Sequence, residues 1–230
     1  MKIHTCTQGS PEWHALRLGL PTASDFGQLL TPEFKIRTGQ MPESYLHQKL
    51  CEKLLGFSPK QDFTSFEMGQ GVILEGEARP YYEFTYDVKV ETPGFCTTDS
   101  GRVGCSPDGL IGADSGLEIK CPQPERALRY LLDGDVPPEY RAQVHGSMYV
   151  TGRPRWVFMS YSRQFAPLVV TVERDPKIDA AIEAALFRFL ERFDSELARA
   201  AAFRSDRDAD KKAAYEAECA AWEAKQRATA

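Results

Sequence analysis

One short segment constrains this chain more than any other. Leu117-Glu118-Ile119-Lys120-Cys121, closed by Pro122, alternates apolar and charged residues as a strand does. Side chains two apart on a strand share a face, so Glu118 and Lys120 project together while Leu117, Ile119 and Cys121 turn into the core. Ten residues before Glu118 stands Asp108, in the turn signal Cys105-Ser106-Pro107-Asp108-Gly109. A hairpin of that length returns the Asp108 carboxylate to the Glu118 side. The fold must therefore accommodate an acid and a lysine on one strand face, with a second acid at the start of the same hairpin.

Two carboxylates that converge bind hard divalent cations through oxygen, Mg²⁺ by preference, and Mn²⁺ shares those ligand preferences. A lysine beside them can place a water molecule and offset the charge of a transition state. Phosphodiester hydrolysis needs this set. The pattern by itself is common: an acid two before a lysine occurs six times, at Glu33/Lys35, Asp87/Lys89, Glu118/Lys120, Asp175/Lys177, Asp210/Lys212 and Glu223/Lys225. Only Glu118/Lys120 combines an apolar strand frame with a Pro-Asp turn at a suitable distance. Asp87/Lys89 competes, on an expected strand over 86–90. An exposed hairpin with a surface ion pair satisfies the same local pattern. Glu75, on the preceding helix, is either a further acid at a metal site or the i, i+4 partner of Arg79.

The 230 residues suit one α/β domain, with or without a helical appendage, and can bury a core without staples. No apolar run is long enough to span a bilayer, and residues 1–9 lack the features of a secretory signal, so a cytoplasmic location is expected. The six cysteines include no Cys-x-x-Cys pair and are expected to be reduced thiols, several of them buried. A net charge of −5 does not suggest a protein that coats nucleic acid. Its distribution says more: residues 62–118 hold eleven acids and three bases, and residues 120–163 hold seven bases and four acids. That juxtaposition suits an enzyme holding cations beside phosphates, while charge alone favours plain solvated surface.

Helices are expected from Ser10 (cap) with Pro11 to Leu18, from Thr22-Ala23-Ser24-Asp25, over 44–55 ending at Gly56, over 71–84 with a break or bend at Pro80, over 124–132, 139–150 and 177–202. Strands are expected over 86–90, 95–103, 117–121, 155–161 and 168–173. The segment 31–42 reads as loop. The order implies a mixed sheet flanked by helices. The tail after Arg204 carries a thin apolar stripe, Tyr215, Cys219 and Trp222. It reads as a helix, either docked or a marginal surface element.

Several ordered blocks frame the acidic hairpin: Trp13-His14-x-Leu16-Arg17-Leu18-Gly19, Thr22-Ala23-Ser24, Glu75-x-x-Ala78-Arg79, Cys105-Ser106-Pro107-Asp108-Gly109-Leu110, Gly116-Leu117-Glu118-x-Lys120-Cys121-Pro122 and Ala142-Gln143-Val144-x-x-Ser147-Met148. In these blocks, from about Trp13 to Glu196, the chain resembles the phage lambda-type exonucleases, the YqaJ-like viral recombinase family of the PD-(D/E)xK nuclease superfamily. The resemblance implies a restriction-endonuclease-like α/β core over residues 1–203 and a separate helical tail over 204–230. It implies that Asp108, Glu118 and the Ile119 carbonyl bind metal, with two Mg²⁺ ions expected and Mn²⁺ able to substitute. Lys120 matches the catalytic lysine and Glu75 the helical acid of the site. Arg17, Ser24 and Ser106 match a pocket for a 5′-terminal phosphate, and Gln143 matches the glutamine beside the active site. Asp99 is set against another acid of the family, and His145 is expected to pack or contact DNA.

The residues support the phosphate pocket on their own terms: Arg17 is a forked, permanently charged donor and Ser24 lies in a helix's first turn. Arg17 could instead pair with Glu12 or Asp25, and Ser24 could simply cap. The activity implied is 5′→3′ degradation of one strand of linear duplex DNA in recombination, by a ring-shaped homotrimer that works with a single-strand annealing protein in a bacterial host's cytoplasm. An endonuclease on the same core and a non-catalytic DNA-binding scaffold are the competing readings. Pro80, inside the Glu75 helix, departs from the family pattern, and the tail lies outside the resemblance.

Overall fold

In the computed structural model, which describes residues 1–59, 66–201, 203 and 217–221, two sheets share one body of helices. A five-stranded mixed sheet has the order β2-β5-β6-β7-β8: β2 Val90–Glu91, β5 Gly109–Ile111, β6 Ser115–Lys120, β7 Arg155–Ser160 and β8 Leu168–Glu173. A smaller sheet has the order β1-β3-β4: β1 Lys2–His4, β3 Phe95–Thr97 and β4 Gly104–Cys105. The helices are α1 Pro11–Arg17, α2 Gln40–Leu55, α3 Phe66–Tyr86, α4 Pro124–Asp133, α5 Pro138–Thr151 and α6 Pro176–Ala201, and Ala23–Gln28 forms a 3-10 turn.

The expected hairpin is β5–β6, with Gly109 opposite Leu117. Its turn is clamped by Arg153, whose guanidinium donates to the carbonyls of Ile111, Gly112 and Ser115 at 3.3, 2.9 and 2.7 Å. Strand β6 then runs parallel to β7, Glu118 beside Phe158. This central position buries both of its faces. Leu117 and Ile119 pack with Ala78, Tyr82, Val157 and Met159 under α3. The opposite face of the sheet, with Trp156 and Phe158, packs under α4 and α5 through Tyr130, Val144 and Met148. Glu118 faces that second layer and is only 1% exposed. The alternation therefore marks which side of the strand carries charge, and α5 covers that side too.

Capping chemistry sets most helix ends. Ser10 accepts from the Trp13 N–H at the start of α1, and Gly56, Gly134 and Gly152 close α2, α4 and α5 in left-handed conformations. Three expectations are corrected. The helix expected over 71–84 runs unbroken from Phe66 to Tyr86 with Pro80 inside it. Packing of Ala78 and Tyr82 against β6 outweighs the lost hydrogen bond. The strand expected over 86–90 consequently shrinks to Val90–Glu91, and Asp87, at φ +50°, belongs to the exit from α3. Asp87/Lys89 thus has no strand frame. Helix α2 also begins at Gln40, four residues before the expected start.

Of the expected tail stripe, Cys219 sits half-buried on a helical segment over 217–221, while Tyr215 and Trp222 lie outside the described residues. Cys6, Cys96 and Cys105 are buried free thiols. No helix among the described residues is long and apolar enough to cross a membrane.

Candidate active site

The turn from Ser106 to Asp108 organises the site. Its backbone is held by Gln8, which donates to the Pro107 carbonyl at 2.8 Å, and by Arg79, whose Nε donates to the Asp108 carbonyl at 3.1 Å. From this turn the Asp108 carboxylate reaches the adjacent strand and accepts the Ile119 N–H at 2.6 Å. Strand β5 begins only at Gly109, so the Ile119 main chain on this side is open to a side-chain partner. An extended residue presents its carbonyl on the same side as its N–H, which places the Ile119 oxygen toward the Asp108 carboxylate.

Glu118 projects from the opposite face relative to Leu117 and meets Lys120 and α5. Its Oε1 accepts from Lys120 Nζ at 2.6 Å and from Gln143 Nε2 at 2.5 Å. Its Oε2 is buried with no hydrogen-bond partner among the described residues. A buried carboxylate oxygen without a donor is costly unless a cation or a proton meets it. Burial, reinforced by Glu118 and Glu75, pushes the Asp108 carboxyl well above its usual range. Burial also raises Glu118, against the opposing pull of Lys120 and Gln143. For Lys120 burial favours the neutral amine, but Glu118 and Asp108 outweigh it and hold the ammonium charged. The same ammonium stands 5.1 Å from the Tyr140 ring centroid.

Glu75 is near enough to raise Asp108 and Glu118 electrostatically, and its carboxylate is bound to Arg79, 2.7 Å away, the i, i+4 partner of the second reading. With Glu75 on Arg79 and Glu118 on Lys120, no three acidic, histidine or cysteine side chains among the described residues are gathered as a metal cluster. The donor set nonetheless fits a hard cation. It comprises the buried Glu118 and the partly buried Asp108, both of raised proton affinity, one carboxylate oxygen with no donor among the described residues, and a strand carbonyl beside them. Cys121, pushed up to about 12 by burial and then by the neighbouring acids, is a neutral thiol.

On the other side of the turn, Ser106 Oγ accepts from Trp13 Nε1 and from Arg17 Nη1, both at 2.9 Å. The Arg17 guanidinium lies 4.2 Å from the Trp13 ring centroid, stacked rather than ion-paired, and burial lowers its pKa. Its other nitrogen reaches Thr22 Oγ1 at 3.5 Å, which is 3.2 Å from Ser24 Oγ and donates to Asp25 at 3.1 Å. Arg17 and Ser106 are thus in direct contact, and the exposed Ser24 is linked to Arg17 through the Thr22 hydroxyl. Ser24 sits on a 3-10 turn rather than an α-helix.

The sequence reading assigned no role to Trp13, Thr22 or Tyr140. Trp13 precedes Arg17 by one helical turn and Tyr140 precedes Gln143 by three residues, a spacing that puts each pair on one helix face. Asp99 is corrected: it sits on an exposed turn and accepts from the Met1 ammonium at 2.5 Å, away from the acids. His145 packs edge-on against Phe34 with ring centroids 5.0 Å apart, the first of the two roles left open for it.

The mixed sheet, with two acids and a lysine at its centre and helices on both sides, defines a lambda-exonuclease-like α/β nuclease core. Two solved structures of LHK-Exo, an alkaline exonuclease from Laribacter hongkongensis, share it. The one in complex with dAMP has a TM-score of 0.75 at 29% identity, covering 83% of this chain and 95% of the other. The second has a TM-score of 0.74 at 28% identity with the same coverage. A phage-related exonuclease from Haemophilus somnus 129PT shares the fold at a TM-score of 0.57 and 11% identity, over 78% of this chain and 96% of the other. No curated protein matches the chain. Residues 12–154 match the YqaJ-like viral recombinase domain, and the chain belongs to that family.

Proposed function

We propose that this chain is a Mg²⁺-dependent 5′→3′ exodeoxyribonuclease that degrades one strand of linear double-stranded DNA and leaves 3′ overhangs for recombination by strand annealing. The observation that carries the proposal is the shared turn. Ser106, which joins Arg17, and Asp108, which joins β6, are two residues apart. A terminal phosphate held by Arg17, Ser24 and Ser106 therefore sets the next phosphodiester near Asp108, Glu118 and Lys120. Only a strand end presents such a group.

Asp108, Glu118, the Ile119 carbonyl and Glu75 are the residues that would hold Mg²⁺ or Mn²⁺. When bound, the metal lowers the pKa of a water and neutralises charge on the scissile phosphate. Lys120 adds a fixed positive charge toward that phosphate. Gln143 orients Glu118. In the hydrolysis the water oxygen bonds to phosphorus and the P–O3′ bond breaks, so the 3′ oxygen leaves with a proton. The cut strand keeps a new 5′-phosphate, the group the pocket binds, and each turnover regenerates the substrate end. The nucleotide released is a deoxynucleoside monophosphate, the class of the dAMP bound by LHK-Exo. A ring-shaped trimer and an annealing partner follow from the family resemblance and belong to the same proposal. So do the boundary at residue 203 and a site in the bacterial cytoplasm.

Digestion tests the reading. Linear duplex with 5′-phosphate ends should be degraded with Mg²⁺ and not in EDTA, faster than duplex with 5′-hydroxyl ends, while covalently closed circles survive. Cutting of closed circles would establish an endonuclease, and no digestion of any substrate would leave a binding scaffold.

A further inference from the structure

The loop that carries the phosphate pocket does not rest on its own residues. Residues 18–22 connect α1, which holds Arg17, to the 3-10 turn, which holds Ser24. Two main-chain amides of this loop are bound by side chains of α2. The Gly19 N–H donates to Glu52 Oε2 at 3.1 Å, and the Thr22 N–H donates to the Tyr45 hydroxyl at 3.3 Å. Tyr45, Lys49 and Glu52 lie at i, i+4 and i+7, one face of α2, and all three are buried, at 4, 5 and 4% exposure. The loop meets α2 so closely that a Cβ on Gly19 would stand 2.9 Å from Lys53 Cβ.

Buried acids and phenols need a reason to be there, because an apolar face would serve packing alone. Here each polar atom has a task. Glu52 Oε2 is neutralised by Lys49 Nζ at 3.0 Å, and Oε1 accepts from Gln48 at 2.9 Å. Lys49 in turn lies 5.5 Å from the Tyr45 ring centroid. Burial raises the Tyr45 pKa, so the group that accepts from Thr22 is a neutral hydroxyl. The two anchored amides flank the stretch between Arg17 and Ser24, and the anchored Thr22 carries the hydroxyl within reach of both side chains.

We infer that Tyr45 and Glu52 are positioning residues that fix the spacing of Arg17 and Ser24 and thereby set the preference for a phosphorylated 5′ end. They touch no substrate and act through the main chain of residues 19 and 22. The inference rests on the pocket proposed above. Loosening either anchor lets the Arg17 fork drift from Ser24 and Ser106, which weakens a charge-assisted contact that depends on geometry.

The test compares initial rates of the full-length protein on one linear duplex bearing either 5′-phosphate or 5′-hydroxyl ends, at equal Mg²⁺. Tyr45→Phe removes a single hydroxyl and keeps the packing; Glu52→Gln keeps the shape and removes the charge. The phosphate-to-hydroxyl rate ratio should fall by about three- to tenfold in Tyr45→Phe, the size of one lost hydrogen bond, and at least as far in Glu52→Gln. A general loss of folded enzyme lowers both rates together and leaves the ratio alone. An unchanged ratio in Tyr45→Phe, with its cooperative melt intact, overturns the inference even if Glu52→Gln fails to fold. Equal wild-type rates on the two ends overturn the pocket itself, and the inference with it.

Discussion

The Ile119 N–H donates to the Asp108 carboxylate across 2.6 Å, tying the turn to the one strand position between Glu118 and Lys120. The three catalytic candidates therefore move as a unit. The hairpin clamp from Arg153 sets their register at one end, and Arg79 holds the turn at the other.

Replacing Lys120 by Ala should abolish cleavage while sparing the fold. Its side chain is 26% exposed and lies outside the apolar clusters, so the fold loses the Glu118 pair rather than core packing. Cleavage of 5′-phosphorylated duplex should fall by at least about a hundredfold, the scale of losing one charge-stabilising group. Circular dichroism and duplex binding should stay unchanged. Robust digestion by this variant would remove Lys120 from the mechanism.

Gln143→Ala acts one step away from the chemistry. Gln143 donates to Glu118 at 2.5 Å and leaves Oε2 free, so it orients the carboxylate. Losing an orienting partner typically weakens metal affinity by about 10–100-fold. The Mg²⁺ concentration for half-maximal cleavage should rise by that order. A variant with lower activity at every Mg²⁺ concentration and an unchanged midpoint would assign Gln143 to DNA contact instead.

Gly146 on α5 faces the 3-10 turn, where an added Cβ would lie 2.5 Å from Phe26 Cδ2. Alanine favours a helix by about 1 kcal/mol over glycine, and overpacking a ring costs about 1–3 kcal/mol. Gly146→Ala should be destabilised by roughly 1 kcal/mol and melt a few degrees lower, about 2–4 °C for a chain of this size. A higher melting temperature would show that the turn carrying Ser24 yields freely.

Burial lowers the pKa of His145, more than Asp175 and Asp179 raise it. The neutral ring is therefore the folded form, and the unfolded chain binds the extra proton first. The stability this residue contributes is present above the ordinary histidine range and lost as pH falls through it. The difference in melting temperature between pH 7.5 and 5.5 should shrink in His145→Gln. An equal pH dependence in both proteins would show that folding leaves the His145 pKa unshifted.

Most element positions were legible because their signals are local: the Ser10 cap, the Gly56 that ends α2, and the strand alternation at β6. The errors fell where tertiary contacts override local preference. Pro80 reads as a breaker, yet Ala78 and Tyr82 dock on β6 and the helix continues past it to Tyr86. That shift removed the strand frame from Asp87/Lys89, the pair that local pattern could not separate from Glu118/Lys120. Asp99 failed for the opposite reason: an acid in a turn looks the same whether it faces solvent or a site.

The sequence by itself determined that two acids and a lysine converge on one hairpin. The spacing of Asp108, Glu118 and Lys120 makes a hairpin with convergent charges, and period-two geometry needs no further information. Only the tertiary structure decided their environment. Strand β6 lies between β5 and β7 with α5 laid over its charged face, so Glu118 is buried and one of its oxygens has no donor. It also decided that Ser106 joins Arg17 from a helix some 90 residues earlier, and that α2 supports the loop between them. Burial and long-range contact depend on the packing of the whole chain, and no local pattern encodes them.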